Sequence, residues 1–455
     1  MLKNELQSLL TGKQLLLDDI SLPLVDLQQY EEITYREGIT FKNKQPVCAR
    51  CGNKDPDWFA TFPCARCGNT EVYCRKCIMM GKISECTQLL GWSGPPPEMQ
   101  LPDKILEWNG MLSEGQAIAA ERVKEAVQKN RELLVWAVCG AGKTEILFPG
   151  IEMALAEKKR VCIATPRTDV VLELVPRLKS AFPNIPVAAL YGGSEDRHVY
   201  STLTISTTHQ LLRFYHAFDT LILDEVDAFP YTVEESLKHA AVQARKQESA
   251  MIYLTATPSA KWQRECRTGR RDFVTIPARF HRHPLPVPSF EWCGNWKKLL
   301  TKGKMPATVC KWVQQRLGAD KQSLIFFPNI KLMEKAIPIL RQFNANIDSV
   351  HAEDPDRKKK VQNMRDNKIP ILLTTSILER GVTFPNIDVA VIGAEEDIFS
   401  ESALVQIAGR AGRSPKFPTG DVTFFHYGKT EAMLKARKQI VAMNREAVKK
   451  GLVDL

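Results

Sequence analysis

The chain has 455 residues, too many for one core and suited to two or three domains. Its 44% apolar and 25% charged content is ordinary for a globular protein, and no uninterrupted apolar stretch reaches the length a membrane helix needs. The net charge of +10 fits a polyanionic partner as well as it fits plain solubility.

The N-terminus, MLKNELQSLLTGKQLLLDDI, carries acids inside its apolar run. That pattern does not fit a secretory signal, and a cytoplasmic chain is expected. Residues 1–45 read as one or two short helices with leucine-rich faces. Within residues 46–95, six of the chain's twelve cysteines form three CxxC pairs, Cys48/Cys51, Cys64/Cys67 and Cys74/Cys77. In a reducing compartment such pairs favour metal over disulfide. Two pairs complete a tetrahedral Zn²⁺ site, so three pairs offer one too many. The gaps are 12 residues from first to second pair, 6 from second to third and 22 from first to third. The short gap disfavours the second pair with the third, and the other two combinations straddle the usual spacing of roughly 15–20. A dithiol switch is the redox alternative. A small segment without a large apolar core needs a staple, which favours structural zinc. Gly91–Met99, GWSGPPPEM, reads as a linker.

From residue 102 to 280 short apolar runs alternate with helical patterns: LLVWAV, RVCIAT, LTIST, TLILDEV and MIYLTAT. This is the rhythm of a parallel sheet with crossover helices. The proline-rich HRHPLPVPSF at His281–Phe290 reads as a second linker. The rhythm returns over residues 289–455 with SLIFFP, NIDSVHA, PILLTTS, DVAVIG and GDVTFFH, and a basic helix follows Lys429. Two such units leave a cleft between them, a usual place for a ligand.

Three strings carry the chemistry. AVCGAGKT at Ala137–Thr144 lies between a strand and a helical segment, as a phosphate-binding loop requires. Gly140, Ala141 and Gly142 let backbone N–H groups face phosphate oxygens, Lys143 reaches the β- and γ-phosphates, and Thr144 ligates Mg²⁺. DEVD at Asp224–Asp227 ends the run TLIL; Asp224 is placed to hold Mg²⁺ and Glu225 to orient or deprotonate water. QIAGRAGR at Gln406–Arg413 reads as a helix with Arg410 and Arg413 one turn apart. Guanidinium groups suit the charge of a transferring phosphoryl group, and Gln406 on the same face can position the water.

Together with VCIATPRTDVVLEL, ALYGGS, STTHQLLR, LTATP, HAED and ILERGVT, these strings resemble the superfamily-two, DEAD/DEAH-like helicases, and within them the ComFA family of late-competence DNA-uptake ATPases. The resemblance implies an α/β fold of two RecA-like parallel-sheet domains in tandem behind a cysteine-rich zinc module. It also implies a four-cysteine site whose last pair sits in YCRxC before Met-Met-Gly, which assigns Cys48, Cys51, Cys74 and Cys77 and leaves Cys64/Cys67 as an extra pair in a variable hairpin. Gln116 takes the place of an adenine-reading glutamine, and Gly381 lies near the ribose and cleft. Thr255 and Thr257 couple nucleotide state to movement. Arg167, Thr207, Thr374 and Thr375 fall where the nucleic-acid backbone is contacted. The implied cofactors are ATP, Mg²⁺ and Zn²⁺. The implied partners are single-stranded DNA, other competence proteins and a membrane DNA channel, at the inner face of the cell membrane. A replication-restart or repair helicase that unwinds duplex shares the phosphate-loop and arginine strings. A binding scaffold with a dead ATP site is disfavoured by the intact Lys143, Asp224, Glu225 and Arg413.

Overall fold

The computed structural model describes residues 3–20, 24–379 and 384–454. Two all-parallel sheets dominate it. The first has seven strands in the spatial order Val187–Leu190, Leu203–Thr207, Val161–Thr165, Phe218–Leu223, Arg245–Thr255, Glu132–Ala137, Phe273–Ile276. The second has six, in the order Ser289–Trp292, Val422–His426, Ile387–Ile392, Gln322–Phe326, Ile371–Thr374, Asp348–Val350. Central strands such as Val161–Thr165 and Ile387–Ile392 are buried along their whole length, as apolar runs covered on both faces must be. Parallel pairing sends every crossover through a helix or long connection, so loops carrying polar groups collect at one edge of each sheet.

The three strands that the sequence rhythm does not single out, Val187–Leu190, Phe273–Ile276 and Ser289–Trp292, all sit at sheet edges. Each has four residues, a length at which an apolar run is ambiguous between strand and helix segment.

The N-terminal segment is not purely helical, contrary to the expectation for residues 1–45. Lys3–Leu10 is a helix, but Ile33–Glu37 is a strand paired antiparallel with Gln88–Trp92. Ile39–Lys42 and Gln45–Cys48 form a hairpin beside it. The β-branched and aromatic residues of ITYRE and ITF win over the leucine-rich pattern that precedes them. The strand ending at Trp92 also takes the first residues of the expected linker. This module docks on the first lobe: Gln14 donates its backbone N–H to Arg213 O at 2.8 Å, and Lys13 is buried with Nζ 3.3 Å from Val199 O.

The last helix, Glu431–Lys449, belongs to the second lobe by sequence but also reaches the first. Gln439 donates to Ala256 O at 2.7 Å, and Thr275 donates to Glu446 at 2.6 Å. Its buried face is Met433, Ala436, Ile440, Met443 and Ala447, a helical repeat. Among the described residues no helix is long and apolar enough to cross a membrane.

Candidate active site

A cleft of about 490 Å³ opens between the lobes. From the first lobe it is lined by Gln116, Gly140, Ala141, Gly142, Lys143, Thr144, Asp224 and Glu225. From the second it is lined by Gln406, Arg410 and Arg413. The three strings read from the sequence therefore meet in one place.

The phosphate loop follows the strand Glu132–Ala137 and ends in a single 3₁₀ turn, Glu145–Leu147, before the helix Phe148–Ala156. Gly140 and Gly142 both take left-handed backbone angles, φ +81° and +71°. That conformation costs an ordinary residue about 1–2 kcal/mol. Gln116 braces the loop: its amide donates to Ala141 O at 3.0 Å, and its Oε1 accepts from Ser113 N–H at 2.9 Å, capping the helix Glu114–Gln128. The side chain expected to read adenine is thus engaged within the protein, and any contact with a base requires exchange of these bonds.

Asp224 stands one residue beyond the strand Phe218–Leu223, held by its N–H donating to Ala164 O at 2.8 Å on the neighbouring strand. Its carboxylate accepts from Glu225 N–H at 2.8 Å, and Glu225 itself has φ +54°. A non-glycine residue in this region is a locally strained feature of the kind that collects at functional sites. Asp227, to which the sequence pattern assigns no role, accepts from Thr255 at 2.8 Å and Thr257 at 2.6 Å. It also accepts from Ser402 of the opposite lobe at 2.6 Å. One carboxylate therefore ties the TAT segment to both lobes.

The arginines do not lie on a helix, which corrects the sequence reading. The helix is Glu401–Ala408, Gly409 caps it, and Arg410 and Arg413 sit in the turn that follows, where Gly412 has φ +64°. The glycines that punctuate QIAGRAGR end the helix. Gly409 is also demanded by proximity: a Cβ there would lie 2.4 Å from Cys139 Cβ of the phosphate loop. Beside it Cys139 donates its S–H to Gln406 Oε1 at 3.0 Å, so Gln406 touches the other lobe directly.

Arg279 is a further element that sequence reasoning missed, in the stretch leading into the expected linker. It is fully buried and donates to Ala411 O at 2.8 Å, Gly409 O at 3.3 Å and Gly412 O. Its neighbour Phe280 donates N–H to Gly140 O at 3.2 Å. The segment is a strap joining phosphate loop to arginine turn. Backbone carbonyl acceptors leave no mark in a sequence, so nothing there announced it. Burial, then the charge of Arg413, lowers Arg279 to about 10. The same causes lower Arg410 well below the arginine range. Crowded, desolvated guanidiniums favour an anionic ligand that restores balance.

The residues expected to face nucleic acid are unevenly exposed. Thr207 and Thr374 are buried at the ends of their strands, Thr375 is half-buried, and Arg167 lies 3.8 Å from Glu379 across the lobes. Gly381 falls outside the described residues.

In the N-terminal module the four sulphurs of Cys48, Cys51, Cys74 and Cys77 lie within 4.8 Å of one another, all buried. Cys48–Cys77 is 3.6 Å and Cys51–Cys74 is 3.7 Å. A tetrahedral ion with Zn–S of about 2.3 Å requires sulphurs about 3.8 Å apart. The cluster therefore fits zinc. Arg50 braces it, donating to Cys77 O and Met80 O at 2.8 Å each. Hydrogen bonds to Cys48 and Cys74 push the Cys51 thiol up, whereas those from Cys48 and Cys51 pull Cys74 down.

A glycine-rich loop from one parallel-sheet lobe and arginines from a second, facing one cleft, define a helicase-type ATP-binding core. The sequence profile of the DEAD/DEAH box helicase matches residues 114–265, and that of the helicase conserved C-terminal domain residues 305–415. The fold resembles *S. cerevisiae* Dbp5 bound to RNA and ADP BeF3, with a TM-score of 0.52, 12% identity and 75% of this chain and 97% of that one covered. The competence protein ComFA N-terminal domain matches residues 1–91. The competence protein ComFA of *Bacillus subtilis* (strain 168) is 48% identical over 99% of this chain and 97% of the relative. That of *Streptococcus pneumoniae* (strain ATCC BAA-255 / R6) is 39% identical over 82% and 86%. The chain belongs to the ComFA family of competence proteins.

Proposed function

We propose that this protein is an ATP-driven translocase on single-stranded DNA that draws transforming DNA into the cytoplasm. The observation that carries the reading is the convergence of Lys143 and Thr144 with Arg410 and Arg413 around one cleft. ATP bound there bridges the lobes, and loss of the γ-phosphate removes the anion that holds the two cationic groups together. Lys143 grips the β- and γ-phosphates. Thr144 and Asp224 hold Mg²⁺, which neutralises developing charge when bound. Glu225 takes the proton of the attacking water, which Gln406 helps to orient, and the arginines stabilise the transferring phosphoryl group.

The Asp227–Thr255–Thr257–Ser402 network carries nucleotide state from one lobe to the other. Arg167 and Thr375 are half-buried, Arg167 facing Glu379 across the lobes, and such groups suit phosphate contact without base reading, as stepping along any sequence requires. The relatives named as competence proteins support DNA uptake as the setting; a membrane DNA channel and other competence proteins are the partners this reading implies. Steady-state ATPase with single-stranded DNA, duplex and RNA tests the reading. Stimulation by single-stranded DNA is expected. Absence of stimulation by DNA refutes the motor, and stimulation accompanied by strand separation assigns it to the duplex-unwinding class instead.

A further inference from the structure

The hexapeptide CARCGN occurs twice, at Cys48–Asn53 and Cys64–Asn69. Both copies fold alike. Cys48 N–H donates to Asn53 O at 3.0 Å and Gly52 N–H to Cys48 O at 2.9 Å. In the second copy Cys64 N–H donates to Asn69 O at 2.8 Å and Gly68 N–H to Cys64 O at 2.9 Å. Gly52 and Gly68 have φ of +70° and +76°. This turn aims both thiols of a pair at one point. The first copy aims at Cys74 and Cys77. The second would be a spare if nothing faced it, but Glu71 and Cys86 do.

The ligand atoms of Cys64, Cys67, Cys86 and Glu71 all lie within 4.8 Å of one another. Cys67 Sγ is 2.9 Å from Glu71 Oε1. The other carboxylate oxygen accepts from Cys86 N–H at 3.1 Å, which fixes the orientation of the group. Glu71 is only 4% exposed, and among the described residues no lysine or arginine forms an ion pair with it. A buried carboxylate beside three thiols is an arrangement that a cation resolves. Three soft sulphurs select against Mg²⁺ and Ca²⁺, the hard oxygen against Cu(I), and four donors leave no open position for catalysis.

We propose that Cys64, Cys67, Cys86 and Glu71 form a second, structural Zn²⁺ site, so that the N-terminal module holds two zinc ions. The strand Thr70–Cys74 supplies Glu71 to one site and Cys74 to the other, three residues or roughly 10 Å apart. The hairpin it forms with Phe59–Pro63 is thereby stapled at both ends. A lone hairpin is marginal in water, so the staple at its tip has a physical task.

The test is metal content of the full chain, by elemental analysis after zinc-replete purification and by Co²⁺ titration followed at the thiolate-to-metal absorption. Two equivalents per chain are expected for the unaltered protein, a measurement that depends on no variant's folding. Cys64→Ser/Cys67→Ser and Cys86→Ser should each fall to one equivalent and keep the four-sulphur Co²⁺ spectrum. Cys86 belongs to no CxxC pair, so its loss reads the new site specifically. Saturation of the unaltered protein at one equivalent overturns the proposal, as does retention of two equivalents in either variant.

Discussion

Gly142→Ala separates two contributions to nucleotide binding that coincide in the native loop. Left-handed φ costs alanine about 1–2 kcal/mol at Gly140 and at Gly142 alike. The surroundings differ. A Cβ on Gly140 meets nothing nearer than Arg279 side-chain carbon at 3.6 Å, an ordinary contact. A Cβ on Gly142 would lie 2.3 Å from Gln116 Nε2, so the glutamine must leave and its bond to Ala141 O is lost. A hydrogen bond of this kind contributes about 1 kcal/mol. The free loop relaxes, and the cost returns when ATP imposes the native conformation. Gly140→Ala should therefore weaken binding of a non-hydrolysable ATP analogue about 5–30-fold, and Gly142→Ala about fivefold more. In a Gln116→Ala background the extra factor should vanish, because nothing remains to displace. Titration of all four combinations gives the coupling directly. Equal effects of the two glycine substitutions, or strict additivity of Gly142→Ala with Gln116→Ala, would show that Gln116 does not brace the loop.

Glu225→Gln should cut kcat about 10²–10⁴-fold with ATP affinity nearly kept, and a wild-type rate would remove Glu225 from the water-activating role. Cys48→Ser should lose one zinc equivalent and lower the melting temperature of the N-terminal module; unchanged metal content would reject the Cys48, Cys51, Cys74, Cys77 cluster. Lys13 gives a pH signature. Burial, then Arg160 and Arg213, lowers it to about 7. Between pH 7 and the unfolded value near 10.5 the unfolded chain binds the extra proton, so stability should rise with pH by up to about 1.4 kcal/mol per unit. Lys13→Met should flatten that slope in denaturant titrations at pH 7, 8 and 9, and an unchanged slope would place its origin elsewhere.

The nucleotide chemistry was legible because it is written in short contiguous strings at strand ends, where backbone and side chain act together. Lys143, Thr144, Asp224 and Glu225 are local in this sense. What escaped was made of distant partners or of backbone. Arg279 grips three carbonyls more than 100 residues away, and carbonyls have no letter. Ser402 matters only because a fold brings it to Asp227. Glu71 and Cys86 lie outside any paired-cysteine spacing, so counting pairs left Cys64 and Cys67 without companions. The arginine turn reads as helix because a three-residue spacing is blind to Gly409 before it and Gly412 within it. Three of the four sheet edges escaped, Asp348–Val350 being the exception, whereas the central strands declared themselves through uninterrupted apolar runs.

The final helix has a mechanical consequence. Because Gln439 and Glu446 bond to the first lobe while the helix packs against Glu401–Ala408 of the second, the lobes cannot part without breaking one set of contacts. Opening the cleft also breaks the bonds of Arg279 to the arginine turn and of Asp227 to Ser402, so the helix is one of several ties that nucleotide release has to loosen.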